Sequence, residues 1–362
     1  MAYVAVRGGA EAIEASLEHL QYERVKDGAF VAVETLQATM RGFLDQVMSE
    51  SSLYSEQLAA LAMKQSEGNV EEAIFLLRAH RSTLPRLYYS TTTDARSMFV
   101  LRRISASFKD IPGGQILGAS HDYLHRLLNF DLLQETVEDV AAQKAEFEAI
   151  EVPDNSVLQL EKLPKVMDYL RQEGLIREFP ENDAEPSDIT KESIAFPTNR
   201  SQRLQTLTRG QTGTVTSLGY AGLRGYGASH PTVGEVRVGW QSIHVALDDG
   251  DDPYYIGAIK LTEVESFIPV NVNGEDKQVV EFDVGYGACF GQNETKAIAM
   301  SIVDHALEVG GDTAIHDEEF VLLHIDTIES TGFISHLKMP HYVTFQSKLE
   351  QMRAIKREGK ML

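Results

Sequence analysis

The strongest constraint on the fold is a change of hydrophobic period across one acidic, proline-containing stretch, EFPENDAEPSDITKESIAFPTNR at 178–200. Before it, apolar residues recur at three- and four-residue steps, the spacing that lines one face of an α-helix. In AFVAVETLQATMRGFLDQVMSE, Val33, Leu36, Met40, Phe43 and Val47 make such a face and predict an amphipathic helix packed on a core. The segment SEQLAALAMKQSEGNVEEAIFLLRAHRSTL predicts two more helices, broken at Gly68-Asn69, with Asn69 and Glu72 at capping-box spacing. This pair suits plain core packing first and an adaptor surface second. After the acidic stretch, β-branched and aromatic runs predict strands in VTSLGYAGLRGYG, EVRVGWQSIHVAL, YIGAIKLTEVESFIPV, QVVEFDVGYGACFG and FVLLHIDTI.

Two helices interrupt or follow those strands. NETKAIAMSIVDHALEVGG has Asn293 as N-cap and Gly310-Gly311 as its stop. A last helix at roughly 342–358 carries Phe345, Leu349, Met352 and Ile355 on one side, with Lys356 and Arg357 near its C-terminal end. The expected class is therefore α+β. A mainly helical region at 1–177 is followed by an exposed connection at 178–200 and by an α+β region at 201–362 with a largely antiparallel sheet.

At 362 residues the chain is long enough for about two domains and a substantial core. Its single cysteine, Cys289, excludes an internal disulfide framework and an iron-sulfur cluster held by this chain alone. A cytoplasmic location is the simplest expectation. The first residues, MAYVAVRGGAEAIEAS, lack a basic start followed by a long apolar run, so neither secretion nor membrane insertion is expected. The formal net charge of −21 argues against nucleic-acid binding, because a phosphate backbone is drawn to basic surfaces.

Four stretches carry candidate chemistry. VGYGACFGQNETK runs from a strand through Gly285, Gly287 and Gly291 into a helix, a junction that can aim backbone N-H groups at a phosphate. It lacks the spacing and terminal residues of a Walker A motif, and a structural turn is the plainer reading. LRRISASFKDIPGGQILGASHDYLHRLLNF joins Arg102, Arg103 and Lys109 to a Pro-Gly-Gly turn and then to His121, Asp122, His125 and Arg126. On a helix, His121 and His125 would share one face, as metal-binding pairs require, although a solvated polar face is favoured. In HDEEFVLLHIDTI, a strand from Phe320 would put Leu322, His324 and Asp326 on one face, behind the carboxylates Asp317, Glu318 and Glu319. Those carboxylates suit proton transfer or a divalent ion, although acidic clusters are usually solvated surface.

The fourth stretch, FISHLKMPHYV at 333–343, places His336 and His341 five residues apart. Within one helix that step turns the chain roughly 140° away from the starting face, which excludes a helical metalloprotease pair. Pro340 favours a bent, extended path on which the rings could converge. Two histidines alone are ordinary structure, since zinc usually takes three or four protein ligands.

Taken in order, YVAVRGGAEAI, EEAIFLLRAHRSTL, RRISASFKDIPGGQILG, DYLHRLL, GYGASHP, DEEFVLLHID and FISHLKMPHYV resemble the I-subunit family of the bacterial carbon-phosphorus lyase core complex over nearly the whole chain. The resemblance implies a role in phosphonate catabolism. The family replaces the adenine of ATP with methylphosphonate, giving α-D-ribose 1-methylphosphonate 5-triphosphate, and acts alone as a purine nucleosidase on ATP or GTP. It also implies partner G, H and J subunits and associated ATP-binding-cassette subunits, with the iron-sulfur chemistry belonging to J. By the HLKMPH motif it assigns a zinc pair to His336 and His341, to be completed by water, substrate or a partner. Magnesium would accompany ATP.

Displacement at ribose C1′ develops oxocarbenium character, which calls for carboxylates and an acid for the leaving base. The catalytic expectation falls on Glu318, His324 and Asp326, and the triphosphate expectation on Arg102, Arg103, Lys109, Gly285 and Gly287. The competing expectation is a non-catalytic scaffold of the same complex.

Overall fold

The computed structural model describes residues 8–150, 163–177, 179, 180, 182, 184–226, 230–247, 252–273, 278–339 and 342–359. The chain runs through α1 (Gly9–Val25), α2 (Val33–Thr39), α3 (Arg41–Ser51), α4 (Glu56–Gln65) and α5 (Val70–Ser82) to a short strand, β1 (Phe99–Ile104). Next come α6 (Val137–Glu148), α7 (Val166–Gln172), α8 (Arg200–Arg209) and α9 (Thr212–Ala221). Three long strands follow, β2 (Thr232–Val245), β3 (Tyr254–Asn273) and β4 (Gln278–Phe290). The chain then forms α10 (Glu294–Val309), α11 (Glu318–His324), α12 (Thr327–Ser335) and α13 (Tyr342–Glu358). The class is α+β with an antiparallel sheet, as expected. No helix among the described residues is long and apolar enough to cross a membrane.

Two compact units share the chain, each drawn from separated segments: Met1–Pro85, Ala184–Ala221 and Ala306–Leu362 in the first, Arg86–Asp183 and Gly222–His305 in the second. The first unit is helical. Leu44, Val47 and Met48 of α3 pack with Ala59, Ala60 and Met63 of α4 and with Ala73, Ile74 and Leu77 of α5. The single helix expected through Val33–Val47 is instead two, because Met40 leaves helical geometry at φ −114° and ψ 38°. That break leaves Met40 and Phe43 exposed. Between α4 and α5, Gly68 takes φ +88°, and the Asn69 side chain accepts the Glu72 N-H at 3.0 Å, the predicted cap.

Two expected strands of this unit are helices. Residues 215–221 of VTSLGYAGLRGYG lie in α9, whose first residue is held by the buried Glu50 carboxylate, which accepts from Thr212 N at 2.9 Å and from Thr212 Oγ1 at 2.8 Å. FVLLHIDTI begins as α11, where Asp317 accepts from Phe320 N at 3.0 Å and Val321, Leu322 and Ile325 are buried at helical spacing. In both, tertiary packing and a cap override the strand preference of β-branched residues.

The second unit is built on the sheet, ordered β1-β2-β3-β4 with every neighbour antiparallel. Residues directly opposite share a face. One row runs Val236, Val264, Gly287, and the next Val238, Thr262, Cys289; this face lies under α10, where Ser266 Oγ meets Ser301 Oγ at 2.8 Å. The opposite face holds the row Arg103, Arg237, Glu263 and, beside it, Glu235, Glu265, Tyr286. It is this second face that carries the candidate site.

Candidate functional site

Alternation of charged residues with valine ordinarily turns the charged side of an antiparallel strand to water. Here that side is covered by residues 163–172, and Arg103, Glu235, Arg237, Glu263 and Glu265 are all buried. Arg103 donates Nε to the Glu235 carboxylate, Nη1 to the Pro112 carbonyl at 2.6 Å and Nη2 to the Pro164 carbonyl at 2.6 Å. Glu235 in turn accepts from Val166 N at 3.0 Å, which seats the start of α7 on the sheet. Lys165 Nζ lies 2.7 Å from Glu263 Oε1 and 3.4 Å from Glu265 Oε2. Arg171 joins Glu265 at 2.8 Å to Asp168 at 3.0 Å.

The electrostatics follow from that enclosure. Tyr286 donates its hydroxyl to Glu263 at 3.0 Å, and burial, reinforced by the Glu263 charge, pushes the phenol well above its usual range. Burial alone would raise the Asp168 carboxyl, but hydrogen bonds and charge from Arg96 and Arg171 hold it below the usual value. Arg237 is 1% exposed, and none of its three guanidinium nitrogens finds a hydrogen-bond acceptor among the described residues. Its Nη1 stands 3.9 Å from Glu263 Oε2. A buried guanidinium presents five N-H donors in a planar fork that matches carboxylate, phosphate or phosphonate oxygens.

Of the residues expected at a triphosphate, only Arg103 belongs to this layer. Arg102 points to the other face, donating to Glu294 at the start of α10, to the Leu117 carbonyl and to Asp122. Lys109 is exposed. The helix that would align His121 and His125 is absent and both are exposed, in keeping with the favoured solvated face, and Arg126 takes φ +61°. Gly285 and Gly287 lie within β4 rather than in the turn that follows it. A Cβ on them would stand 2.0 Å from the Ser301 and Ala297 carbonyl oxygens, so what they admit is the backbone of α10 and not a phosphate.

In the first unit the catalytic expectations meet architecture. Because α11 replaces the expected strand, His324 and Asp326 do not alternate along one face. His324 is exposed and donates Nδ1 to the Phe320 carbonyl at 2.6 Å. Asp326 caps α12 by accepting from Ile328 N at 2.9 Å and Glu329 N at 3.0 Å, and it takes Arg78 Nη1 at 2.6 Å. Glu318 accepts Thr198 N at 3.1 Å and Thr198 Oγ1 at 2.5 Å. His336 donates Nδ1 to the Phe333 carbonyl, which in the neutral ring puts the lone pair on Nε2, the arrangement that suits a metal ligand. His341 lies outside the described residues. Among the described residues no three His, Cys, Asp or Glu side chains converge as a metal cluster.

Glu235, Arg237, Glu263, Lys165 and Tyr286 were not foreseen. Their signal is present in the alternation E-V-R-V and E-V-E, but it reads as a water-facing side. The cover comes from 69 and 98 residues away, a separation that periodicity does not report.

Comparison with known proteins adds the following. Residues 2–359 match the family model described as bacterial phosphonate metabolism protein (PhnI). The alpha-D-ribose 1-methylphosphonate 5-triphosphate synthase subunit PhnI of Rhizobium meliloti (strain 1021) is 42% identical across 98% of this chain and 95% of its own length. The protein of the same name from Escherichia coli (strain K12) is 39% identical across 98% of this chain and 99% of its own.

Proposed function

The chain belongs to the bacterial phosphonate metabolism (PhnI) family, and from that premise we propose that it is a catalytic synthase subunit displacing adenine from ATP at ribose C1′ with methylphosphonate. The product is α-D-ribose 1-methylphosphonate 5-triphosphate. Alone, the chain is a purine nucleosidase in which water takes the place of phosphonate. It works in the cytoplasm as part of a carbon-phosphorus lyase complex with G, H and J subunits and associated ATP-binding-cassette subunits. The observation that carries this reading is the match along residues 2–359.

Displacing a base from ribose builds positive charge at the sugar while a negative oxygen approaches from the opposite face. The charged layer of the second unit supplies groups for both demands. Glu263 and Glu265 are the carboxylates that would stabilise the sugar cation, with Tyr286 kept protonated beside Glu263. Arg237 is the contact for the phosphonate or phosphate oxygens, which would give its buried donors their acceptor. In the first unit, His336 and His341 would hold zinc, which would supply Lewis-acid chemistry there.

The test combines the purified chain, its G, H and J partners, ATP and methylphosphonate, followed by phosphorus NMR. A ribose 1-phosphonate resonance is expected, and its absence would overturn the synthase reading. Arg237→Met should abolish that resonance while shifting Tm by no more than about 2 °C, because no hydrogen bond of the guanidinium is lost among the described residues and Glu263 keeps its 2.7 Å pair with Lys165. The scaffold reading is favoured by one observation, that Glu318 and Asp326 are consumed in caps and ion pairs. It predicts no adenine release from ATP above a heat-killed control.

A further inference from the structure

Every residue from 121 to 150 is exposed, yet the segment is locally well formed. Asn129 caps a turn at Phe130–Leu133 by accepting from Asp131 N at 3.1 Å. Thr136 and Asp139 close a reciprocal capping box on α6, which buries none of its own residues. The root of the segment is fixed to the second unit by Arg102, which donates to Leu117 O and Asp122, and by Gln292 Nε2, 3.0 Å from the Ala119 carbonyl. Beyond that root, Leu127 and Leu133 are 84% and 80% exposed, and Leu128, Phe130, Val137 and Phe147 stand out similarly. Val137, Val140 and Phe147 follow one helical stripe of α6. Isolated apolar side chains on a surface are ordinary, but a run of this length marks a surface meant to be covered.

Charge decides what covers it. The segment holds seven carboxylates against Arg126 and Lys144, a formal charge of −5 with histidines neutral, on a chain of −21. A second copy, an anionic membrane and a nucleic acid would each meet it with like charge. A protein surface with an apolar groove rimmed by lysine and arginine meets both its character and its sign. We propose that residues 121–150 form a docking arm that lays this acidic, apolar surface into the basic-rimmed groove of another protein subunit. The inference rests on the subunit reading above and adds the element that makes the contact.

The full chain, alone and co-expressed with the G, H and J subunits, is compared by hydrogen exchange. Residues 121–150 should exchange at least about tenfold more slowly in the complex, as expected for a buried interface. Leu127→Asp with Leu133→Asp should weaken assembly by at least about tenfold while the isolated chain keeps its Tm within about 2 °C, since neither side chain is packed in the free chain. Glu135→Lys with Glu146→Lys should also weaken assembly and flatten its dependence on salt. A wild-type complex with unchanged exchange at 121–150, or a Leu-to-Asp variant that assembles like wild type, would overturn the arm and leave the subunit reading standing. Protection that grows with concentration in the isolated chain would overturn it in favour of self-association. Failure of the wild-type chain to join those subunits would overturn the subunit reading, and the arm with it.

Discussion

Asp326 shows how a single residue can look catalytic in sequence and be structural in the fold. Its carboxylate lies between two cations, Arg78 at 2.6 Å and the more distant Arg209, while also capping α12. Burial, together with the neighbouring Arg78 charge, lowers Arg209 to about 10, and the Asp326 charge opposes that fall, so Asp326 is the group that reconciles them. Burial alone would raise the Asp326 pKa, but the Arg78 charge and the Glu329 N-H hold it below the usual carboxylate value. A depressed folded pKa gives stability that is present above the unfolded value, near 4, and lost as pH falls through the folded value. Asp326→Asn should therefore cost about 2 to 4 kcal/mol at pH 7, as breaking a largely buried pair does. In urea titrations the gap between variant and wild type should close below about pH 4; a gap that persisted at pH 2 would place the loss in the cap rather than in the charge pair.

At the scale of elements, the contact between α10 and β4 can be set against ordinary glycine behaviour. Replacing glycine by alanine usually stabilises, by about 0.4 to 1 kcal/mol, where the backbone conformation permits it. Gly287→Ala should do the reverse and cost about 3 kcal/mol or more, because its Cβ would meet the Ala297 carbonyl oxygen at 2.0 Å and α10 would have to move. Gly332→Ala in α12, where a Cβ meets nothing within 4 Å, should stabilise by about 0.5 to 1 kcal/mol. Denaturant midpoints for the pair should move in opposite directions, and equal shifts would count against close packing. The same elements show what the sequence makes legible. β2, β3, β4 and α10 were readable because long alternation, a terminal Gly310 and a sustained helical period agree with their surroundings. α9 and α11 were not, because their helicity is imposed by Glu50, Asp317 and buried packing against a β-branched composition. The charged layer was hidden for a related reason: alternation tells that one face is polar and is silent on what lies over it.

For the whole molecule, the question is which electrostatic effect dominates a chain of formal charge −21. Exposed pairs such as Lys26 with Glu23 and Arg353 with Glu350 contribute little each and are easily screened. The pairs that seat residues 163–172 on the sheet, Arg103 with Glu235 and Lys165 with Glu263, are buried and respond weakly to ions. Self-repulsion among the surplus carboxylates acts at long range, and it shrinks as the Debye length falls from about 30 Å at 0.01 M salt to about 10 Å at 0.1 M. The repulsive contribution is therefore the one that salt removes first. The isolated chain should gain thermal stability, by about 2 to 4 °C in Tm, between 0.01 M and 0.1 M potassium chloride, with most of the rise complete by 0.1 M. Differential scanning calorimetry in a monovalent salt isolates this from specific binding of divalent ions. A Tm that fell over the same range would mean that exposed attractive pairs outweigh the net charge, and that the acidic excess is compensated locally across the surface.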